Sequence, residues 1–144
     1  VLCEMDNVIE VYEVGARNDD VDPFKMIQRI STIEPDEKQR AAASGIEFSP
    51  DGNHLFVTNA GINTVIIYDV DKETGVLTPL FHCKTSGDYP KAVAVMPDNK
   101  HFIVLSHETD EIFIYNMNYE DCYFLQDSRP IKIEQPNCIF IHKL

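Results

Sequence analysis

The sequence predicts an all-β fold made of β-propeller blades, each blade being a sheet of four antiparallel strands. One sequence pattern occurs twice. In the first copy GIEFSPDG at 45–52 is followed by VIIYD at 65–69, and in the second AVAVMPDN at 92–99 is followed by IFIYN at 112–116. Each copy also contains several short runs in which apolar and polar residues alternate. Self-similarity at a period of about 40 to 50 residues with such strands is typical of a propeller blade.

The middle unit, residues 44–86, is predicted to be one complete blade. Its first strand runs into a turn in which Pro50 presets φ and Gly52 accepts the positive φ of a tight hairpin. Three further alternating runs follow, separated by residues that favour turns. They predict a second, third and fourth strand at 54–58, 64–70 and 77–84.

The other units follow the same spacing. Residues 91–133 repeat the order and are predicted to be a second full blade, whereas residues 1–35 hold only the end of a blade. PNCIFI at 136–141 matches PKAVAV at 90–95, which predicts the inner strand of a closing blade over 136–144. We therefore expect about three blades of a larger propeller, whose remaining blades lie in the same or another chain.

Uneven spacing between the units locates an insertion. Tyr12 and Tyr68 are fifty-six residues apart, Tyr68 and Tyr115 only forty-seven, and the extra residues fall in the polar stretch 33–43. A solvated connection is the simpler interpretation. An insertion between an outer strand and the next inner strand would, however, lie on the face where the second strands end, and that face often holds the ligand site in propellers.

The composition argues against nucleic acid or a membrane as a partner. The formal net charge is -12, from 24 acidic and 12 basic residues. No apolar run approaches the ~20 residues of a membrane span, and no signal peptide is visible, so the cytoplasm is the expected location. The four cysteines are widely spaced without a C-x-x-C pair, which predicts reduced thiols; neither a metal nor another cofactor is expected.

Equivalent loops of the three units predict one site at an end of the central channel. The loops that follow the second strands carry Glu4, Asn59 and His107, and the starts of the inner strands carry Lys91 and Asn137. Because equivalent positions of successive blades converge near the propeller axis, we expect these five residues to border the same end of the channel.

Each candidate has a chemical reason and a simpler alternative. Glu4 can act as a general base or bind a sugar hydroxyl, and His107 is suited to proton transfer near neutral pH. Lys91 can supply a cation for a carboxylate or phosphate, and Asn59 and Asn137 are candidate substrate contacts. The alternatives are an exposed carboxylate, a polar loop histidine and a solvated lysine. No G-x-S-x-G, P-loop or H-E-x-x-H motif is present.

Three segments carry a resemblance to a known family: IEFSPDGNHLFVTN at 46–59, VIIYDVD at 65–71 and ETGVL at 73–77. With them, nearly the whole chain resembles the three C-terminal blades of the seven-bladed lactonases, which include bacterial 6-phosphogluconolactonases and fungal carboxymuconate-lactonizing enzymes. The family's Asn-Glu, Asn-Arg and Pro-Arg pairs correspond to Cys3-Glu4, Asn59-Ala60 and Pro90-Lys91 here. Where the family usually has an acid, this sequence has Gly45.

The resemblance implies a hydrolase of carbohydrate metabolism that opens a sugar lactone, such as 6-phosphogluconolactone, to the sugar acid. Glu4 and His107 would then be the catalytic residues, and Lys91, Asn59 and Asn137 would bind the substrate. The alternative is a non-catalytic propeller that binds a small ligand or a protein on the same face. The missing guanidinium at Ala60 and the missing acid at Gly45 favour this alternative.

Overall fold

The computed structural model describes residues 1–15, 23–37 and 40–142, and these residues form strands and turns without a helix. The strands are β1 (Leu2–Cys3), β2 (Val8–Val14), β3 (Phe24–Ser31), β4 (Ala42–Phe48), β5 (His54–Ala60), β6 (Thr64–Val70), β7 (Leu77–Lys84), β8 (Pro90–Val95), β9 (His101–Ser106), β10 (Glu111–Asn118), β11 (Tyr123–Gln126) and β12 (Ile131–Lys132).

The strands pair into three antiparallel sheets. The first has the order β1-β2-β3 and the second the order β4-β5-β6-β7. The third has the order β8-β9-β10-β11, and the short β12 pairs with the other end of β10. Strands that are consecutive in the chain are therefore neighbours in each sheet, as in a propeller blade. The predicted all-β class with antiparallel four-stranded blades is confirmed.

Several strand boundaries differ from the expected ones; the second strand of the middle blade, expected at 54–58, continues to Ala60. Strand β4 begins at Ala42, inside the stretch assigned to the insertion, because a bulge lets Ala43 pair with Asn59 and Gly45 with Thr58. The outer strand of the third blade is interrupted between β11 and β12. Pro130 precedes β12, and a proline has no N–H group to donate to the ladder.

The inner strand expected over 136–144 is not formed by its described residues, 136–142. Residues 136–142 have no strand pairing, and residues 143–144 lie outside the described part of the chain. A strand needs a neighbour for its N–H and C=O groups, and the described residues supply no strand of a fourth blade. Ile139–Ile141 instead line a crevice together with Phe48 of β4 and Val95 of β8.

Two apolar cores lie between adjacent blades. The core between the second and third blades is built around Phe56, Phe102 and Tyr115. The ring centroids are 5.3 Å apart for Phe56 and Phe102 and 5.0 Å apart for Phe102 and Tyr115. The core between the first and second blades includes Ile9 and Tyr68. Full burial of one such side chain contributes about 1.5–3 kcal/mol, so these contacts hold neighbouring blades together.

A repeated side-chain hydrogen bond also joins successive blades. In each blade the turn between the second and third strands ends with an Asn or Asp whose φ is positive, at 54°, 56° and 57°. The side-chain oxygen of this residue accepts a hydrogen bond from a backbone N–H of the segment that follows the blade. In the first two blades that N–H lies in or directly before the next inner strand, and in the third it lies directly before residues 136–142, which have no strand pairing. The pairs are Asn7 with Ala43 at 2.9 Å, Asn63 with Tyr89 at 3.0 Å, and Asp110 with Gln135 at 2.9 Å.

The two tyrosines of the sequence repeat form a second joint. The hydroxyl of Tyr68 donates to the carbonyl of Ser31 at 2.6 Å, and the hydroxyl of Tyr115 accepts from the N–H of Ser86 at 2.7 Å. Each tyrosine lies in the third strand of its blade and bonds to the outer strand of the preceding blade. Ser31 is the last residue of β3, and Ser86 follows the end of β7. Burial raises the pKa of both hydroxyls, so they stay protonated at physiological pH.

Candidate functional site

The predicted site residues lie along one end of the blades, where β1, β5 and β9 end and β4 and β8 begin. Two hydrogen bonds connect this end from blade to blade, and a third lies within the third blade. The carbonyl of Glu4 accepts from Ala43 N–H at 3.3 Å, the hydroxyl of Ser44 donates to the carbonyl of Pro90, and the N–H of His107 donates to Tyr89 at 3.0 Å. We call this end the rim, defined by Glu4, Ser44, Lys91, His107 and Asn137.

Matching bulges shape the rim at the starts of the two inner strands. Ser44 is the extra residue between Ala43 and Gly45, and Lys91 is the extra residue between Pro90 and Ala92. A bulged residue is left out of the ladder, so its side chain can be directed away from the regular alternation of the strand. The Ser44 hydroxyl forms hydrogen bonds with Thr58 and Pro90. In contrast, no described carboxylate lies within ion-pairing distance of Lys91.

Lys91 and His107 are brought together around Tyr89. The ammonium nitrogen of Lys91 lies over the ring of Tyr89, 5.5 Å from its centroid, and the ring centroid of His107 is 6.4 Å from that of Tyr89. All three side chains are partly exposed. The Nδ1 atom of His107 faces the carbonyl of Pro136 at 3.4 Å, and its Nε2 atom lies 3.9 Å from a carboxylate oxygen of Glu108.

Tyr89 is a residue that the sequence reasoning missed. Its backbone has a φ of 58°, unusual for an aromatic residue, and its N–H donates to the side chains of Asn63 and Asp88, each at 3.0 Å. The signal in the sequence was an aromatic residue directly before the Pro90-Lys91 pair in a loop next to the predicted site.

Glu4 lies on the rim but apart from His107. It belongs to the first blade and His107 to the third, with the whole second blade between them. The Glu4 side chain is exposed, and its carboxylate makes no hydrogen bond or ion pair with any residue that the structure describes. The Glu4 carboxylate is therefore exposed, and the structure does not pair it with the predicted second catalytic residue.

Asn59 is buried rather than open to the channel. It is fully buried in β5, and its amide nitrogen donates to the carbonyl of Thr32 at 2.8 Å and to the hydroxyl of Thr64 at 3.2 Å. Thr32 follows β3 and leads into the insertion, so that segment covers Asn59. The burial argues for a structural role of Asn59 and against the predicted contact with substrate.

Asn137 lies at the exposed end of the rim. Its amide nitrogen donates to the carbonyl of Gln135 at 3.1 Å, within the segment that has no strand partner.

The insertion lies on the rim face as expected. A Cβ at Gly61 would be 2.0 Å from the carbonyl oxygen of Arg40, so the insertion packs directly against the turn that follows β5.

Gly45 has no room for a side chain. A Cβ built at this position would lie 2.8 Å from the hydroxyl oxygen of Thr58 and 3.0 Å from the Cα of Ala92. Strands β4 and β8 approach each other this closely because the residue is glycine. An acid at position 45 is therefore incompatible with the packing of these two inner strands.

No metal site is evident in the described part of the chain. Its His, Cys, Asp and Glu side chains form no group of three that could hold a metal ion. The four cysteines are free thiols. Within the same residues there is no helix long and apolar enough to cross a membrane.

Sequence comparison finds similar proteins for nearly the whole chain. The family described as "Lactonase, 7-bladed beta-propeller" matches residues 1–141. A Bacillus subtilis (strain 168) protein named 6-phosphogluconolactonase is 22% identical over 145 residues, which are 100% of this chain and 41% of the relative. A Cutaneotrichosporon cutaneum protein named muconate cycloisomerase 1 is 29% identical over 104 residues, 69% of this chain and 25% of the relative. The chain thus spans less than half the length of these relatives.

A solved structure shares the fold. The Pseudomonas aeruginosa protein described as a periplasmic gluconolactonase matches with a TM-score of 0.79 and 19% identity, over 94% of this chain and 36% of that structure. At this identity the match establishes the arrangement of the strands, and it confirms the predicted propeller blades.

Proposed function

Because this chain belongs to the seven-bladed β-propeller lactonase family, we propose that the whole protein hydrolyses a sugar lactone, with 6-phosphogluconolactone as the first substrate to test. The observation that carries the proposal is the match over residues 1–141, together with a rim that presents a carboxylate, an imidazole and an unpaired ammonium on one face. The relatives named 6-phosphogluconolactonase support the choice of substrate.

In the proposed reaction, a general base on the rim takes a proton from water as the water oxygen adds to the lactone carbonyl carbon. The bond between that carbon and the ring oxygen then breaks, and the ring oxygen receives a proton to become the hydroxyl of the sugar acid. Glu4 is the proposed base, because its carboxylate is exposed and unpaired among the described residues. His107 is the proposed proton donor to the leaving oxygen.

Lys91 is the proposed contact for an anionic group of the substrate. The protein carries a formal net charge of -12, which repels anions at long range, so a local cation is needed to hold one in the channel. Lysine binds phosphate or carboxylate as a point charge, without the two-pronged geometry of arginine. Asn137 is a further proposed contact at the exposed end of the rim.

A non-catalytic propeller that binds a ligand on the same face is the second candidate. The observation that favours it is the packing at Gly45, which excludes an acid from the inner strand of the second blade. Ala60 is also fully buried, so no side chain from that position reaches the channel. In this case the rim binds a sugar acid or a related small molecule without turnover.

A pH-stat assay of the whole protein separates the two candidates, since opening one lactone to its acid releases one proton. We expect turnover of 6-phosphogluconolactone above the spontaneous rate, and a loss of about 10²–10⁴-fold in kcat for Glu4→Gln and His107→Gln. Glu120→Gln, an exposed acid in the turn between β10 and β11, is the matched control. Absence of turnover in the wild type, with binding of 6-phosphogluconate intact, would establish the non-catalytic candidate.

We propose the cytoplasm as the location of the protein. The four free thiols support this, because a reducing compartment keeps cysteines unpaired. The Pseudomonas aeruginosa structure, in contrast, is described as periplasmic. Fractionation of cells that express the whole natural sequence tests the proposal, and recovery in the secreted or periplasmic fraction contradicts it.

A further inference from the structure

We propose that Tyr89 is a positioning residue that holds the Lys91 ammonium over the rim and thereby sets a preference for lactones that carry an anionic group. The inference rests on the proposed function, since it concerns the same site. In this inference, substrate preference depends on Tyr89, which is not one of the catalytic or substrate-binding residues predicted from the sequence.

The first observation is the contact between the Lys91 ammonium and the Tyr89 ring. A cation within about 6 Å of a ring centroid is attracted by the negative face of the aromatic ring, and the observed separation is 5.5 Å. Lysine has a flexible stem with four carbons, so an unrestrained ammonium at the surface would sample many positions. The ring reduces this freedom and keeps the charge at one place.

The second observation is that the Tyr89 backbone is itself held rigidly. Its N–H is bonded to Asn63 and Asp88, and its carbonyl accepts the N–H of His107. These bonds attach the residue to both the second and the third blade. A left-handed φ is costly for a residue with a side chain, and it persists where the surroundings determine it so fully. The backbone that carries the ring is thus fixed before any ligand arrives.

The third observation is the contrast between the two bulged residues of the rim. Ser44 and Lys91 occupy equivalent bulges, but the Ser44 hydroxyl is used up in bonds to Thr58 and Pro90. Lys91 has an aromatic neighbour and no carboxylate partner among the described residues. No described residue neutralises its charge, so the ammonium is available to an anion.

These three observations specify a class of ligand. A single fixed ammonium on an acidic protein lowers the energy of a phosphate or carboxylate at one place on the rim and contributes little to an uncharged sugar lactone. The pair Tyr89 and Lys91 should therefore act on binding of the charged substrate and leave the chemical step unaffected. Such a change appears in KM and not in kcat.

The test compares two substrates in the whole protein, 6-phosphogluconolactone and uncharged gluconolactone. Tyr89→Leu is expected to raise KM for the phosphorylated lactone about two- to fivefold, the size of a cation–π contact at an exposed site, with kcat unchanged. KM for the uncharged lactone should stay within error. Tyr89→Phe, which retains the ring, should restore most of the lost affinity. Equal effects of Tyr89→Leu on both substrates would overturn the proposal.

A double-mutant cycle isolates the pair. In a Lys91→Met background, Tyr89→Leu should have no further effect on KM for the phosphorylated lactone, because the cation that the ring positions is gone. If the two substitutions are instead additive, Tyr89 acts independently of Lys91 and the inference is wrong. Thermal unfolding of each variant identifies any loss of folding, and Tyr89→Met, which also removes the ring, replaces the leucine variant if that variant is unstable.

Failure of the inference can be distinguished from failure of the proposed function. If the wild type binds but does not turn over lactones, the same variants are compared by calorimetry with 6-phosphogluconate. Tyr89→Leu is then expected to raise Kd about two- to fivefold. Turnover without any dependence of anion affinity on Tyr89 rejects the inference and keeps the lactonase. Absence of both turnover and anion binding in the wild type rejects both.

Discussion

The side-chain oxygen of Asn63 accepts the N–H of Tyr89 at 3.0 Å and thereby connects the turn after β5 in one blade to the start of β8 in the next. The Asn63 amide nitrogen also donates to Asp88 at 2.8 Å. One asparagine therefore fixes both residues of the loop that leads into Lys91. The same device recurs at Asn7 and Asp110, so a joint between blades also positions the rim.

Replacement of Asn63 tests this joint. Asn63→Gly removes the hydrogen bonds but tolerates the positive φ, and we expect it to lower the free energy of unfolding by about 1–2 kcal/mol. Asn63→Ala adds the strain of a Cβ in the left-handed region, about 1–2 kcal/mol more. Urea unfolding measures the free energy of unfolding of both variants. The loss in Asn63→Gly reports the hydrogen bonds, and the further loss in Asn63→Ala reports the backbone strain. If both variants are as stable as the wild type, the joint contributes nothing.

Phe102 is expected to be essential for the core between the second and third blades. It is fully buried and lies 5.3 Å from Phe56, 5.0 Å from Tyr115 and 5.1 Å from Phe124 between ring centroids. Phe102→Ala leaves a cavity, and we expect a loss of about 3–5 kcal/mol in the free energy of unfolding. Phe140→Ala is the matched control, since Phe140 is 85% exposed, and its loss should stay below about 0.5 kcal/mol.

Gly45 is predicted to tolerate no side chain. Gly45→Ala brings a Cβ to within 2.8 Å of Thr58 and 3.0 Å of Ala92, and overpacking of this kind costs about 1–3 kcal/mol. At Gly15 the nearest described atom to a Cβ is the Pro23 carbonyl oxygen at 3.8 Å, so Gly15→Ala should be neutral within about 0.5 kcal/mol. Equal urea midpoints for the two variants would show that β4 and β8 can separate at no cost.

His54 should make stability depend on pH. Its imidazole stacks on the ring of Tyr119 with centroids 4.1 Å apart. Burial lowers the pKa of His54 below its ordinary 6.5, and the opposing effects of Asp69 and Asp51 are smaller. The unfolded chain therefore binds this proton more readily than the folded one. The contribution is fully present above pH 6.5 and is lost as the pH falls through the lowered pKa.

Urea unfolding between pH 7.5 and 5 measures this dependence. His54→Gln should flatten the decline in stability toward low pH, and Tyr119→Leu, which opens the stacking face to water, should flatten it partly. Burial also raises the pKa of the Tyr119 hydroxyl to about 12, so the phenol stays neutral throughout this range and adds no slope of its own. An unchanged slope in His54→Gln would assign the pH dependence to other groups.

Local chemistry made most of the fold predictable. The Pro-Asp-Gly and Pro-Asp-Asn turns place Gly52 and Asn99 at positive φ, and the alternating runs between the turns became strands at the expected positions. The strand over 136–144 was expected from its likeness to β8. Strand formation also requires a partner, and a pattern within one segment contains no information about that partner.

The placement of the candidate residues at one end of the blades was predictable, but their contacts were not. Equivalent spacing placed Lys91 and His107 at the same end of the blades, where the structure has them. The burial of Asn59 depends on Thr32, which is 27 residues earlier in the chain and is brought over it by the segment that enters the insertion. Tyr89 was missed because its importance arises from bonds to Asn63, Asp88 and His107, and no spacing rule predicts these.

The joints between blades have a direction along the chain. The acceptors Asn7, Asn63 and Asp110 precede their donors in the chain by 36, 26 and 25 residues. Tyr68 and Tyr115 likewise bond to residues of the preceding blade, Ser31 and Ser86. During synthesis on the ribosome, the first strand of each new blade therefore emerges after the group that anchors it has already been made. The propeller can grow in the order of translation, each blade serving as the template on which the next one docks.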